Sequence, residues 1–295
     1  MILKTRLVSI SLLILISLGS LFFINQYVSG EENKVVEEEL KDEIESIVDG
    51  NEDNISVFIG TKDGDIEINE DKVFSSASTI KVPILIEALR QAEKGQINLD
   101  EKTTVSSSDI TNGGGIIRHL SDDQILSIRD LMYLMIILSD NTATNMMIDR
   151  VGMDSVNKAC VEMGCEDTKL QRKMMESVKP KDNLTTAKDM GRIMKEAYEG
   201  DILNAEGKKE FLRIMGDQKL STNLPAYKDR DAHKGVEIFH KGGSLGSTKV
   251  RHDIGMFTYN DDVVYVSVLT ENVSKKTAQT TMAQIGETIM DYLVE

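Results

Sequence analysis

The chain has 295 residues, 40% of them hydrophobic and 28% charged, with only three prolines. Such a composition fills a sizeable core and excludes a disordered chain. The formal charge of -15 excludes a nucleic-acid partner, because neutralising a phosphate backbone needs clustered Lys and Arg.

The first thirty residues stand apart from the rest. Lys4 and Arg6 precede an apolar run from Leu7 to Ile24, followed by Asn25, Gln26 and then Val28, Ser29 and Gly30. This is the pattern of an export signal. At about 1.5 Å per residue the run spans roughly 27 Å, against about 30 Å for a bilayer core. Signal peptide and membrane anchor are both feasible, with the anchor preferred. The protein is expected to be exported, at the cell surface or secreted, touching membrane through this segment only.

Val35–Val48 follows as an amphipathic helix, with Val36, Leu40, Ile44 and Ile47 at helical spacing. Ile55–Gly60 and Asp65–Asn69 read as a hairpin around Lys62, Asp63 and Gly64. Residues 78–218 read almost entirely as helices and loops: Ser78–Glu93, Leu126–Leu138, Thr142–Val151, Ser155–Met163, Thr186–Tyr198 and Glu206–Met215. Met132, Met135, Met146 and Met147 fall at helical spacing and are core filler. Strands return at Val236–His240, His252–Tyr259 and Val263–Thr270, before a closing helix over Lys275–Leu293. Strands at both ends of a helical middle predict an α+β fold. Its antiparallel five-stranded sheet is flanked by the N- and C-terminal helices and joined by an all-helical lobe. The sheet lobe takes residues 31–77 and 219–295, the helical lobe 78–218. Cys160 and Cys165 are five residues apart and so on different helix faces; the unpaired state is preferred. Neither they nor the four scattered histidines match a metal motif, and no cofactor is called for.

Three short motifs carry chemistry. Ser78-Thr79-Ile80-Lys81 is an S-x-x-K at the start of a predicted helix, where Ser and Lys one turn apart share a face. A hydroxyl there lies among unpaired N–H groups that stabilise an oxyanion, although a simple helix cap explains Ser78 equally well. Ser139-Asp140-Asn141 sits between two apolar helices. It offers a hydroxyl able to pass a proton to a leaving nitrogen and an amide able to grip a substrate's own amide, or else a plain cap for the next helix. Lys241-Gly242-Gly243-Ser244 ends a predicted strand with a cation and two glycines that let a ligand approach the backbone.

In this order and spacing, the three motifs resemble the class A β-lactamase and penicillin-interactive serine hydrolase family. The resemblance covers roughly residues 35–295 and includes Phe74, the helix Ile128–Ile137 and Leu170-Gln171-Arg172. It implies that Ser78 is the acylated nucleophile, Lys81 its proton acceptor or relay, and Ser139 the shuttle to the departing nitrogen. Asn141 would hold the substrate's side-chain amide and Lys241 its carboxylate. The backbone N–H groups of Ser78 and Ser244 would form the oxyanion hole beside Gly243. Arg251 resembles the family's additional carboxylate-binding arginine, with a surface role as its alternative.

Two departures qualify the resemblance. Where the family places the glutamate that activates the deacylating water, this chain has Met174, which accepts no proton. Glu176 is the nearest acid and the candidate substitute base, or else an exposed loop acid; Asp182 is expected to pair with Arg172. Gly242 replaces the usual Thr or Ser, removing one hydrogen bond to the substrate carboxylate, which Ser244 would partly restore. The expected activity is β-lactam hydrolysis with slow deacylation, by a monomer acting on a small-molecule β-lactam or a cell-wall peptide. The alternatives are a D,D-peptidase or amidase on cell-wall peptides, and a membrane-tethered penicillin-binding sensor that is acylated once.

Overall fold

The computed structural model describes residues 38–121, 123–176, 181–246 and 249–295. The apolar run read as a signal or anchor lies outside them, as do Val35 and Val36. Among the described residues no helix is long and apolar enough to cross a membrane. Residues 44–295 form one compact unit, which holds every element from the first strand onward.

After helix α1 (residues 38–48) the strands β1 (Ile55–Gly60) and β2 (Asp65–Ile68) form the expected hairpin, with Gly60 opposite Asp65. They join β7 (Glu237–Leu245), β8 (Val250–Tyr259) and β9 (Asp262–Thr270) in one antiparallel sheet of order β2-β1-β9-β8-β7. Every residue of β1 is buried, as a strand covered on both faces requires. Helix α8 (Lys275–Val294) packs on β8 and β9, and α6 (Ala187–Tyr198) packs on β1, β8 and β9. The intervening chain supplies α2 (Lys81–Glu93), α3 (Ile128–Ile137), α4 (Asn141–Val151), α5 (Met153–Glu162) and α7 (Ala205–Gly216). Met132, Met135 and Met147 are fully buried in their core, with Met146 packed against it. The α+β architecture and its five-stranded sheet are as the pattern of strands and helices predicts.

Local differences lie where motifs and turns meet. The segment read as helix and loop also holds β4 (Lys102–Val105) paired with β5 (Gln124–Ser127), and β6 (Leu184–Thr185), which pairs with β3 (Phe74–Ser75) just before the segment. The helix predicted from Ser78 opens instead as a 3-10 turn, Ala77–Ile80, with α2 proper starting at Lys81. Strand β7 does not end at His240. It continues to Leu245, because its backbone pairs residue for residue with β8 through Leu245↔Val250, and a ladder needs only the N–H and C=O that glycine keeps. Cys160 and Cys165 are free and buried, and burial pushes the Cys160 thiol up to about 12 and that of Cys165 further upward.

Candidate active site

The 3-10 turn, the 139–141 turn and β7 meet around a cleft of about 730 Å³. Ser78, Ser139, Asn141, Glu176, Lys241, Gly243, Ser244 and Arg251 all line it. Lys81 lies beneath its floor, fully buried. The residues singled out from sequence, separated by up to 173 positions, are thus brought to one place.

Ser78 is half-buried on the 3-10 turn, entered through Ala77 at φ +47°, a left-handed conformation rare for alanine. The turn is held from behind. His252 Nε2 lies 2.8 Å from the Ser75 carbonyl oxygen, while its Nδ1 accepts the Thr270 N–H at 3.1 Å. That pattern requires a neutral imidazole, and burial pushes His252 down to about 4. Lys81 Nζ reaches across to the second motif, 2.7 Å from the Ser139 carbonyl oxygen, 2.9 Å from Asn141 Oδ1 and 3.1 Å from Ser139 Oγ. Burial pushes Lys81 well below the ordinary lysine range and the Lys241 charge adds to this, against Asp140.

Ser139 also has a left-handed backbone, φ +53°, followed by Asp140 as the N-cap of α4. The Asp140 carboxylate is buried and accepts three backbone N–H bonds: Ala143 at 3.0 Å, Ile116 at 2.7 Å and Ile117 at 2.9 Å. It thereby ties the 112–117 loop to the motif. The loop comes so near that a Cβ at Gly115 would lie 2.1 Å from Asp140 Oδ2. Asn141 Nδ2 donates to the Asn112 carbonyl at 2.9 Å, which fixes the amide that the cleft presents. The run Gly113-Gly114-Gly115 was a visible signal of such close backbone approach, and sequence reasoning passed over it.

Lys241 completes the arrangement from β7. It is buried, with Nζ 3.1 Å from Ser139 Oγ, so that hydroxyl stands between two amines. Burial pushes Lys241 down to about 8, against Asp253, which raises it. Gly243 is the point where β7 touches the nucleophile turn: a Cβ there would lie 2.9 Å from Ser78 N and 3.2 Å from Thr79 N. Only a residue without a side chain lets the strand pass this close. Arg251 sits opposite Ser244 across the β7–β8 pair, on the cleft wall.

The loop after α5 forms the remaining wall. Met174 is buried, its N–H donating to Asn145 Oδ1 at 2.7 Å and its carbonyl accepting Asn145 Nδ2 at 3.2 Å. Glu176 is exposed at the rim, its carboxylate accepting the Lys173 N–H at 3.3 Å. Arg172 pairs with Asp182 through Nε at 3.0 Å and Nη2 at 2.5 Å, while Ser75 Oγ donates to the same carboxylate at 2.5 Å. The loop base is therefore locked to the segment leading into Ser78.

The sequence profile of the Beta-lactamase enzyme family matches residues 39–293. A β-lactamase of Bacteroides uniformis is 26% identical over 247 residues, 76% of this chain and 77% of that protein. A β-lactamase from Sphaerobacter thermophilus shares the fold with a TM-score of 0.78 and 27% identity, over 85% of this chain and 95% of that one. PBP-A, solved as a mutant in its acyl-enzyme complex with penicillin G, gives 0.75 and 26% over 85% and 95%. A family match spanning almost the whole of the described chain makes this protein a member of the β-lactamase enzyme family, a serine hydrolase of the class A type.

Proposed function

We propose that the protein opens β-lactam amides through an acyl-enzyme at Ser78 and releases the product slowly. Ser78 Oγ attacks the carbonyl carbon as Lys81 takes its proton, and the Ser78 and Ser244 N–H groups hold the oxyanion. As the C–N bond breaks, Ser139 Oγ passes its proton to the departing nitrogen and is resupplied by a flanking amine. The single observation carrying this reading is that Ser139 Oγ lies 3.1 Å from both Lys81 Nζ and Lys241 Nζ, two buried amines with lowered proton affinity. Slow release rests on Met174, which supplies no base for water, and on Glu176, which is turned to the loop backbone. Export, supported by the N-terminal pattern, would place the enzyme where β-lactams and cell-wall peptides are met.

The test is burst kinetics with a chromogenic cephalosporin, paired with mass spectrometry of the Ser78 adduct. A stoichiometric burst followed by slow turnover, abolished in Ser78→Ala, is expected; no adduct on Ser78 would sink the reading. A second reading, a D,D-peptidase on cell-wall peptides, is favoured by Met174 alone, since such an enzyme has no need of the water-activating glutamate. Release of D-alanine from a peptide stem faster than β-lactam turnover would select it.

A further inference from the structure

The 222–224 segment has no part in the chemistry above, yet it is fastened with unusual care. Behind Lys241, the buried His240 Nδ1 lies 3.0 Å from Asp253 Oδ1, and Asp253 Oδ2 accepts the Leu224 N–H at 3.1 Å. Leu224 is fully buried, and its carbonyl meets α8 so closely that a Cβ at Gly286 would lie 1.9 Å from the oxygen. The Asn223 carbonyl in turn accepts the Ala226 N–H at 2.9 Å. Sheet and helix thus fix Leu224, the neighbour of Asn223, on both sides. Its side-chain amide lines the cleft with Lys241, Ser244 and Arg251, and has no hydrogen-bond partner among the described residues. It fills the space beside Gly242: a Cβ there would lie 3.4 Å from Asn223 Nδ2. A half-buried amide with open donors, in a cleft that Lys241 and Arg251 also line, is suited to an anion, although the buried Asp253 Oδ1 lies only 3.7 Å from where the Gly242 Cβ would stand.

We infer that Asn223 is a specificity-determining residue, whose Nδ2–H donates to the substrate carboxylate from beside the position that a side chain at 242 would take. The inference rests on the proposed acylation of Ser78. Lys241 and Arg251 supply charge at this end of the cleft, and Asn223 supplies the directional bond that Gly242 cannot. His240 and Asp253 act as positioning residues through Leu224.

The experiment compares acylation rates of benzylpenicillin and its neutral methyl ester in Asn223→Ala, Asn223→Asp, Gly242→Thr and the double variant Asn223→Ala/Gly242→Thr. One bond to a charged group corresponds to about a 10- to 100-fold loss for benzylpenicillin in Asn223→Ala, with the ester changed less than about threefold. Asn223→Asp, which keeps the volume but opposes an anion, is expected to lose more on benzylpenicillin and nothing further on the ester. Gly242→Thr alone gains nothing, because its side chain crowds the amide, but in the Asn223→Ala background it restores at least about tenfold. Equal losses on acid and ester, or an unchanged benzylpenicillin rate in Asn223→Ala, overturn the inference while leaving Ser78 acylation standing. Wild-type protein that benzylpenicillin never acylates overturns both.

Discussion

Replacing Gly243 by Ala should slow acylation of Ser78 by about 100- to 1,000-fold in a protein that still folds. The Cβ would fall 2.9 Å from Ser78 N and 3.2 Å from both Thr79 N and Ala77 Cβ. Two of these are backbone atoms and cannot swing aside. The strand is no freer, since Gly243 pairs with His252, itself fixed to Ser75 and Thr270. Turn and strand must separate by a few tenths of an ångström, which moves the Ser78 N–H away from a developing oxyanion. Loss of one such donor is worth roughly 2.7–4 kcal/mol in the transition state, whereas overpacking costs about 1–3 kcal/mol of stability. Stopped-flow acylation by a chromogenic cephalosporin, run beside a thermal melt, separates the two effects. A folded variant acylated within about threefold of the wild-type rate would refute the placement of the oxyanion site between β7 and the nucleophile turn.

Other perturbations probe the remaining parts. Met174→Glu should shorten the lifetime of the Ser78 ester by about 10²–10⁴, the usual worth of a positioned base, as followed by adduct decay in mass spectrometry; an unchanged lifetime would mean that water does not reach this wall. Acylation of carboxylate-bearing substrates should fall as pH rises through about 8, where Lys241 loses its charge, and should fall more steeply than acylation of a neutral ester over the same range. Asp140→Ala leaves three N–H groups without their acceptor and should lower stability by about 3 kcal/mol or more in urea unfolding, with acylation lost alongside it.

Much of the site was legible because its chemistry is compressed into short runs. Ser78 and Lys81 are one turn apart, Ser139 and Asn141 flank a helix cap, and Lys241 to Ser244 are contiguous, so local sequence states the residue types even though it does not bring them together. The β7 boundary was misjudged because Gly242 and Gly243 look like strand breakers, while pairing to β8 was invisible. The β4–β5 hairpin was missed because its strands are four residues long and lie eighteen residues apart. Asn223 and the Gly113–Gly115 loop carry no periodicity at all. Their significance lies in contacts with Gly242 and Asp140, far away in the chain, and only the folded backbone makes those contacts.

Setting two lysines beside one hydroxyl has a thermodynamic consequence. Lys241, pushed down to about 8 in the folded protein, has an ordinary value near 10.4 when unfolded. Between these values the unfolded chain binds more protons, so stability rises with pH across that window; below about pH 8 the full penalty, about 3 kcal/mol, is present. A substrate carboxylate placed beside Lys241, as proposed above, would favour the charged form, raise its pKa and remove part of this penalty. The same carboxylate would weaken the field that Lys241 casts on Lys81. Burial, not Lys241, is the largest cause of the lowered Lys81 pKa, so most of that lowering would persist with the Lys241 charge offset.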